Sequence, residues 1–153
     1  MEIIGKNLDT IEASYLKNTN KTVIIKKCII NIIDLEGIFD FNQKLIIEDC
    51  IINDFQIHSC WFINGLILKN NIVNNYIDYQ MGGHNLKKIE LTGNIFKSFF
   101  NFFDCQFKEK IEVTGNVFLE GSNLLGNKGE SFENIFENGF LIENNVGKLN
   151  FNI

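Results

Sequence analysis

Residues 89–96 read IELTGNIF and residues 111–118 read IEVTGNVF, nearly the same eight letters 22 positions apart. The pair belongs to a longer series. VIIKKCII (23–30), LIIEDCII (45–52), LILKNNIV (66–73), IELTGNIF, IEVTGNVF and FLIENNVG (140–147) align without internal gaps, their starts separated by 22, 21, 23, 22 and 29 residues. The first and third positions are apolar in every copy, the sixth is Cys or Asn, and the seventh is Ile or Val. A shorter echo lies between the copies: EGIF (36–39), SCWF (59–62), DCQF (104–107) and ENIF (133–136). The half-unit is therefore about eleven residues long.

Alternation with a period of two marks strands, because successive side chains point to opposite faces. Helix-pair repeats are excluded by the absence of a helical pattern, and leucine-rich units by the absence of their LxxLxLxxN line. What remains is a chain that returns to the same place every ~22 residues, each strand pairing in parallel with its equivalent about 4.8 Å further on. The expected fold is all-β: a right-handed parallel β-helix of about six ~22-residue coils over 22–153, with residues 1–21 as an N-terminal cap. In this stacking Leu45 lies over Val23 and Ile47 over Ile25, while Asn71, Asn94 and Asn116 form a column whose amides bond along the axis. Gly93 and Gly115 precede that column, where the chain must bend.

The stretch FDCQFKEKIEVTGNVF (103–118) resembles degenerate pentapeptide-repeat proteins, whose small-x-Phe or Leu units build a right-handed square β-helix. Phe107 and Phe118 are eleven residues apart rather than ten. LILKNNIV and FLIENNVG are equally similar to the repeats of pectate-lyase-type β-helices. The resemblance covers residues 22–153 and implies an architecture rather than an activity.

Composition agrees. Pro and Arg are absent, Ala13 is the single alanine, and 45% of residues are hydrophobic, which favours strands over helices. A net charge of −5 with fourteen scattered Lys gives no basic footprint for nucleic acid or an anionic membrane. The start, MEIIGKNLDTIEASYLKN, lacks the pattern of a signal peptide, so a cytoplasmic location is expected. Cys28, Cys50, Cys60 and Cys105 match no zinc spacing and read as buried free thiols.

In the N-terminal segment Asp9 and Glu12 resemble a capping box, and Leu8, Ile11, Tyr15 and Leu16 share a helical face, which predicts a short helix over the open end. The last coil, from Phe140 to Ile153, is partial; either a partner or a second copy covers it, or Phe151 and Ile153 fold back over their own core. QMGGHN (80–85) and LEGSNLLGNKGES (119–131) interrupt the rhythm, either as a pair of loops protruding from one edge or as tolerated insertions. They offer His84, Leu124, Leu125 and Lys128 as partner contacts. The seventh column, Ile29, Ile51, Ile72, Ile95, Val117 and Val146, is either an outward apolar stripe or a half-buried corner.

Catalytic equipment is thin. Glu48–Asp49 is the one adjacent acidic pair, no Arg can serve as a strong base, and His58 and His84 fall at different phases of the repeat. No cofactor or metal site is expected. Trp61, at the variable position of SCWF, together with Tyr76 and Tyr79, could form a carbohydrate platform. The expected function is a non-catalytic solenoid that binds a protein partner or itself, an inhibitor or immunity-type binder being one form. A carbohydrate-binding or carbohydrate-processing β-helix is the alternative.

Overall fold

The computed structural model describes residues 1–153. Seven strands stack on a first face: Glu2–Ile4, Val23–Lys26, Leu45–Glu48, Leu66–Lys69, Ile89–Thr92, Ile111–Thr114 and Phe140–Glu143. Six stack on a second: Asn7–Glu12, Ile29–Asp34, Ile51–Gln56, Ile72–Val73, Ile95–Phe96 and Val117–Phe118. Every pairing is parallel. On the first face the register joins Glu2 to Ile24, Val23 to Leu45, Leu45 to Leu66, Leu66 to Ile89, Ile89 to Ile111 and Ile111 to Phe140. The chain is thus a parallel β-solenoid of about five regular turns; the next is enlarged to 29 residues by the segment before Phe140, and residues 140–153 add part of a turn.

Short pairs complete the later turns: Ile77–Asp78 with Phe100–Asn101, and Gln106–Phe107 with Ile135–Phe136. The turn from Ile89 to Lys110 is accordingly four-sided. Inward columns fill the centre. Val23, Leu45, Leu66, Ile89 and Ile111 form one, and Ile25, Ile47, Leu68, Leu91 and Val113 another, none of them more than 2% exposed. Aromatic rings thicken the core in the later turns, with Phe100 and Phe102 stacked at 4.1 Å and Phe107 and Phe136 at 5.4 Å.

The corner between the two faces repeats in every turn. Gly5, Lys27, Asp49, Asn70, Gly93, Gly115 and Asn144 all have φ between 53° and 67°, the left-handed region that costs a non-glycine residue about 1–2 kcal/mol. The next residue holds the bend. The side-chain oxygens of Asn71, Asn94, Asn116 and Asn145 accept backbone N–H groups from Cys50, Asn71, Asn94 and Asn116, each at 2.9 Å. Their Nδ2 groups donate back to the carbonyls of Ile47, Leu68, Leu91 and Val113, each at 2.8 Å. In the first turns cysteine does the same job with a thiol: Cys28 and Cys50 Sγ reach the carbonyls of Ile3 and Ile25 at 3.6 and 3.7 Å. One column of Cys and Asn thus satisfies buried backbone groups along the solenoid, as the sixth repeat position suggested.

The expected short N-terminal helix is present, while two details of the segment differ. Residues 2–12 already form strands in register with the next turn, and Asp9 lies in one of them rather than capping a helix. The single helix is Ala13–Leu16, and Glu12 before it makes no side-chain cap bond. Pairing with Ile29–Asp34 outweighs the helical pattern, because it gives the backbone of Asn7–Glu12 ladder partners that a four-residue helix would leave open. Ala13 and Leu16 still join the core.

Replacing Asn94 by Ala orphans the Asn71 N–H and removes the side-chain bond to the Leu68 carbonyl, and a loss of roughly 2 kcal/mol is expected in urea denaturation. Asn94→Cys should lose less, since Cys already serves at two rungs of the column. Lys27→Gly relieves the left-handed backbone at an exposed position and should gain about 0.5–1 kcal/mol after the entropic cost of glycine.

Candidate binding surfaces

The sheet faces carry ion-pair ladders rather than acid clusters. Glu48 sits between Lys26 (2.9 Å) and Lys69 (3.6 Å), and Glu112 between Lys88 (2.9 Å) and Lys110 (3.2 Å). Hydrogen bonds from Lys26 and Lys88 hold these two carboxyls below their ordinary range. No group of three His, Cys, Asp or Glu is arranged to hold a metal ion. All four cysteines are free and buried, and burial raises Cys50 to about 11.

Trp61 and His84, which lie on different turns, come together. Their rings stack with centroids 3.9 Å apart and an interplanar angle of 26°. Phe39 meets the indole edge-on at 5.0 Å, and Trp61 Nε1 donates to the Met81 carbonyl at 3.1 Å. The indole therefore has partners for its ring and its N–H within the protein, which leaves a poor platform for a sugar. Tyr79 is fully buried, its hydroxyl accepting the Gly83 N–H at 3.1 Å. Tyr76 remains exposed and stacks on Phe99.

The segment 80–85 does not protrude. Gly82 lies flat against the Tyr79 ring and Gly83 against the backbone of Gln106, with no room for a Cβ at either. His84 takes φ +52° and donates its N–H to Gln106 at 2.6 Å. In the 119–131 segment, Leu124 is 1% exposed and belongs to the core, so it is no partner contact. Leu125 is half-buried, and Lys128 is exposed together with residues 129–131.

The C-terminal residues fold back beside 116–127. Phe151 donates its N–H to Ser122 at 3.1 Å, packs edge-on against Phe99 at 5.9 Å, and lies 4.3 Å beneath Lys148 Nζ. Ile153 donates to Asn127 Oδ1 at 2.9 Å while its side chain stays 55% exposed. Phe151 is thus an internal packing residue, and the exposed apolar positions lie elsewhere. Ile135, Phe140 and Val146 are 50%, 49% and 63% exposed, and Phe136, Ile142 and Leu149, which point inward, are only partly buried. Leu125, Phe136 and Phe140 line a cleft of about 210 Å³ there. Phe140 and Val146 hold the first and seventh positions of the last repeat, so the pattern contained this signal.

The other end of the solenoid is closed: Ile3, Ile11 and Leu16 are 8%, 3% and 0% exposed. The seventh column is the outward stripe. Ile29, Ile51 and Ile95 are exposed, Ile72 and Val117 half-exposed, and the stripe ends in Val146 at the open end. No helix is long and apolar enough to cross a membrane. Comparison with known proteins adds no relative: no family model, no curated protein and no solved structure matches the chain.

Burial lowers His84 below its ordinary 6.5, with Lys108 acting in the same direction. The fold therefore favours the neutral ring; its contribution is complete above pH 6.5 and is lost as pH falls through the lower folded value. Trp61 is the single tryptophan, so its fluorescence should change in one step below pH 6.5. His84→Gln should remove that step while leaving the far-UV circular dichroism unchanged.

Proposed function

We propose that the protein is a non-catalytic interaction module whose open C-terminal end seats a second copy of the chain. The observation that carries this reading is the contrast between the two ends. Columns buried at Ile3, Ile11 and Leu16, with Met1 and Leu8 partly covered beside them, emerge partly covered at Phe136, Ile142 and Leu149 and exposed at Phe140. Apolar core left in contact with water favours burial against another surface; strand edges are open at both ends, Glu2–Ile4 as well as Phe140–Glu143, so the apolar exposure is what sets this end apart. A second copy presents the same apolar cross-section, and the closed N-terminal end leaves a two-fold pair rather than a growing filament as the matching arrangement. Four sides per turn, as in 89–110, support likeness to the pentapeptide-repeat type of cross-section. The covered ring of Trp61 speaks against the carbohydrate reading.

The rim of that end is acidic on balance, with Glu130, Glu137 and Glu143 exposed around the cleft that Glu133 and a single Lys128 line. A two-fold contact brings these carboxylates near their copies, so salt should strengthen it by screening. A basic partner would show the reverse dependence. Light scattering at 50 and 500 mM NaCl tests both points. A dimer is expected that grows with salt and that Phe140→Asp converts to a folded monomer. A monomer at both salt concentrations at 100 µM protein overturns self-association and leaves the end to a different partner.

A further inference from the structure

A second surface lies at the corner that leads into the first face. The residues just before successive first-face strands form the column Thr22, Lys44, Gly65, Lys88 and Lys110. Backbone bonds hold them in register: Val23 donates to Lys44 at 2.8 Å, Leu45 to Gly65 at 3.3 Å, and Ile89 to Lys110 at 3.2 Å. Gly65 interrupts the column. Its φ is +89° and a Cβ there would lie 2.6 Å from the Lys88 carbonyl oxygen, so glycine alone fits. A notch of about 450 Å³ lies beside Gly65, between Lys44 on one side and Lys87 and Lys88 on the other, with Asn64 and Ile67 also lining it. Lys44 and Asn64 also line a larger cleft of about 620 Å³ that continues past Asn42 and Ile24 to Lys21.

The charge of this groove opposes that of the molecule. Lys21, Lys44 and Lys87 are exposed and make no ion pair, whereas Lys88 is occupied by Glu90 at 3.1 Å and Glu112 at 2.9 Å. Glu2 is the one carboxylate among the lining residues. Three unpaired ammonium groups thus gather along one corner of a chain whose net charge is −5. Lys44 and Lys88 stand two rungs apart, roughly 10 Å along the axis.

We propose that this groove binds an extended acidic peptide segment of a partner protein. Unpaired ammonium groups suit carboxylates placed along a chain. The Asn42 and Asn64 amides and the Ile24 and Ile67 side chains offer hydrogen bonds and apolar contact to the peptide between them. No aromatic ring lines the groove, so neither bases nor sugar rings have a surface to stack on. No Arg is present to grip phosphate in bidentate fashion. The proposal is independent of the end-to-end contact, because these residues all precede the Ile89–Thr92 strand and none lies at the open end.

The test is fluorescence anisotropy with a fluorescein-labelled decapeptide of alternating Glu and Leu, against the intact chain at 50 mM NaCl. Saturable binding is expected, weakened by 300 mM NaCl. The double variant Lys44→Glu/Lys87→Glu should weaken it by at least about tenfold, through reversal of two contacting charges. Lys97→Glu makes the same kind of charge change on the second face and should leave affinity within about twofold. Lys44→Gln/Lys87→Gln gives a milder version of the loss, and circular dichroism shows whether each variant is folded. The proposal is overturned by absence of binding, by equal affinity of the folded groove variants and the parent, or by tighter binding of a ten-nucleotide oligouridylate, which would point to nucleic acid.

Discussion

One column of side-chain hydrogen bonds at the corner between the two faces sets the conditions for the rest of the molecule. A parallel solenoid satisfies its strands through neighbouring turns, but each corner leaves backbone groups that point inward, away from water. Asn71, Asn94, Asn116 and Asn145 meet those groups from both sides, accepting an N–H from the turn before and donating to a carbonyl near it. The same column fixes where the left-handed residue must fall, and so which turns use glycine and which tolerate Lys27 or Asp49. Once the corners are aligned, the apolar columns on either side fall into register without further instruction.

Regularity has a consequence at the surface. Because each outward position repeats at every turn, a single residue choice becomes a stripe, and the stripe's chemistry is uniform over a long distance. The β-branched seventh column becomes an apolar line ending in Val146, and alternating Lys and Glu become ion-pair ladders such as Lys26–Glu48–Lys69. Surface character then changes only where the repeat is broken. Gly65 breaks one column of lysines beside the notch that Lys44, Lys87 and Lys88 line; the enlarged turn before Phe140 breaks another and brings exposed glutamates to the open end. The two binding surfaces proposed for the protein both lie at such breaks.

The failures of sequence reasoning have a common physical cause. Asp9, Glu12 and the apolar residues near them carry a fair local helix signal, but strand pairing with the next turn is a long-range interaction that local pattern does not register. Leu124 reads as a loop residue because it interrupts the repeat within the run GSNLLGN; it is buried because Ser122 and Asn123 turn inward with it and the returning C-terminal segment covers them. Trp61 and His84 are 23 residues apart, about one turn, yet the stack between them depends on the tight path of Gly82 and Gly83 over Tyr79.

The sequence by itself determined the period, the parallel pairing, the inward columns and the Cys/Asn ladder, since each is written as the same residue type recurring every ~22 positions. It also placed Phe140 and Val146 at the first and seventh positions of the last repeat. Only the tertiary structure decided which surfaces are free. It closed the N-terminal end, turned the seventh column outward, folded Phe151 onto Phe99 and set Lys44 across from Lys87. A repeat specifies what each turn shares, and those outcomes depend on where turns differ, which is settled by contacts between residues whose spacing the period does not contain.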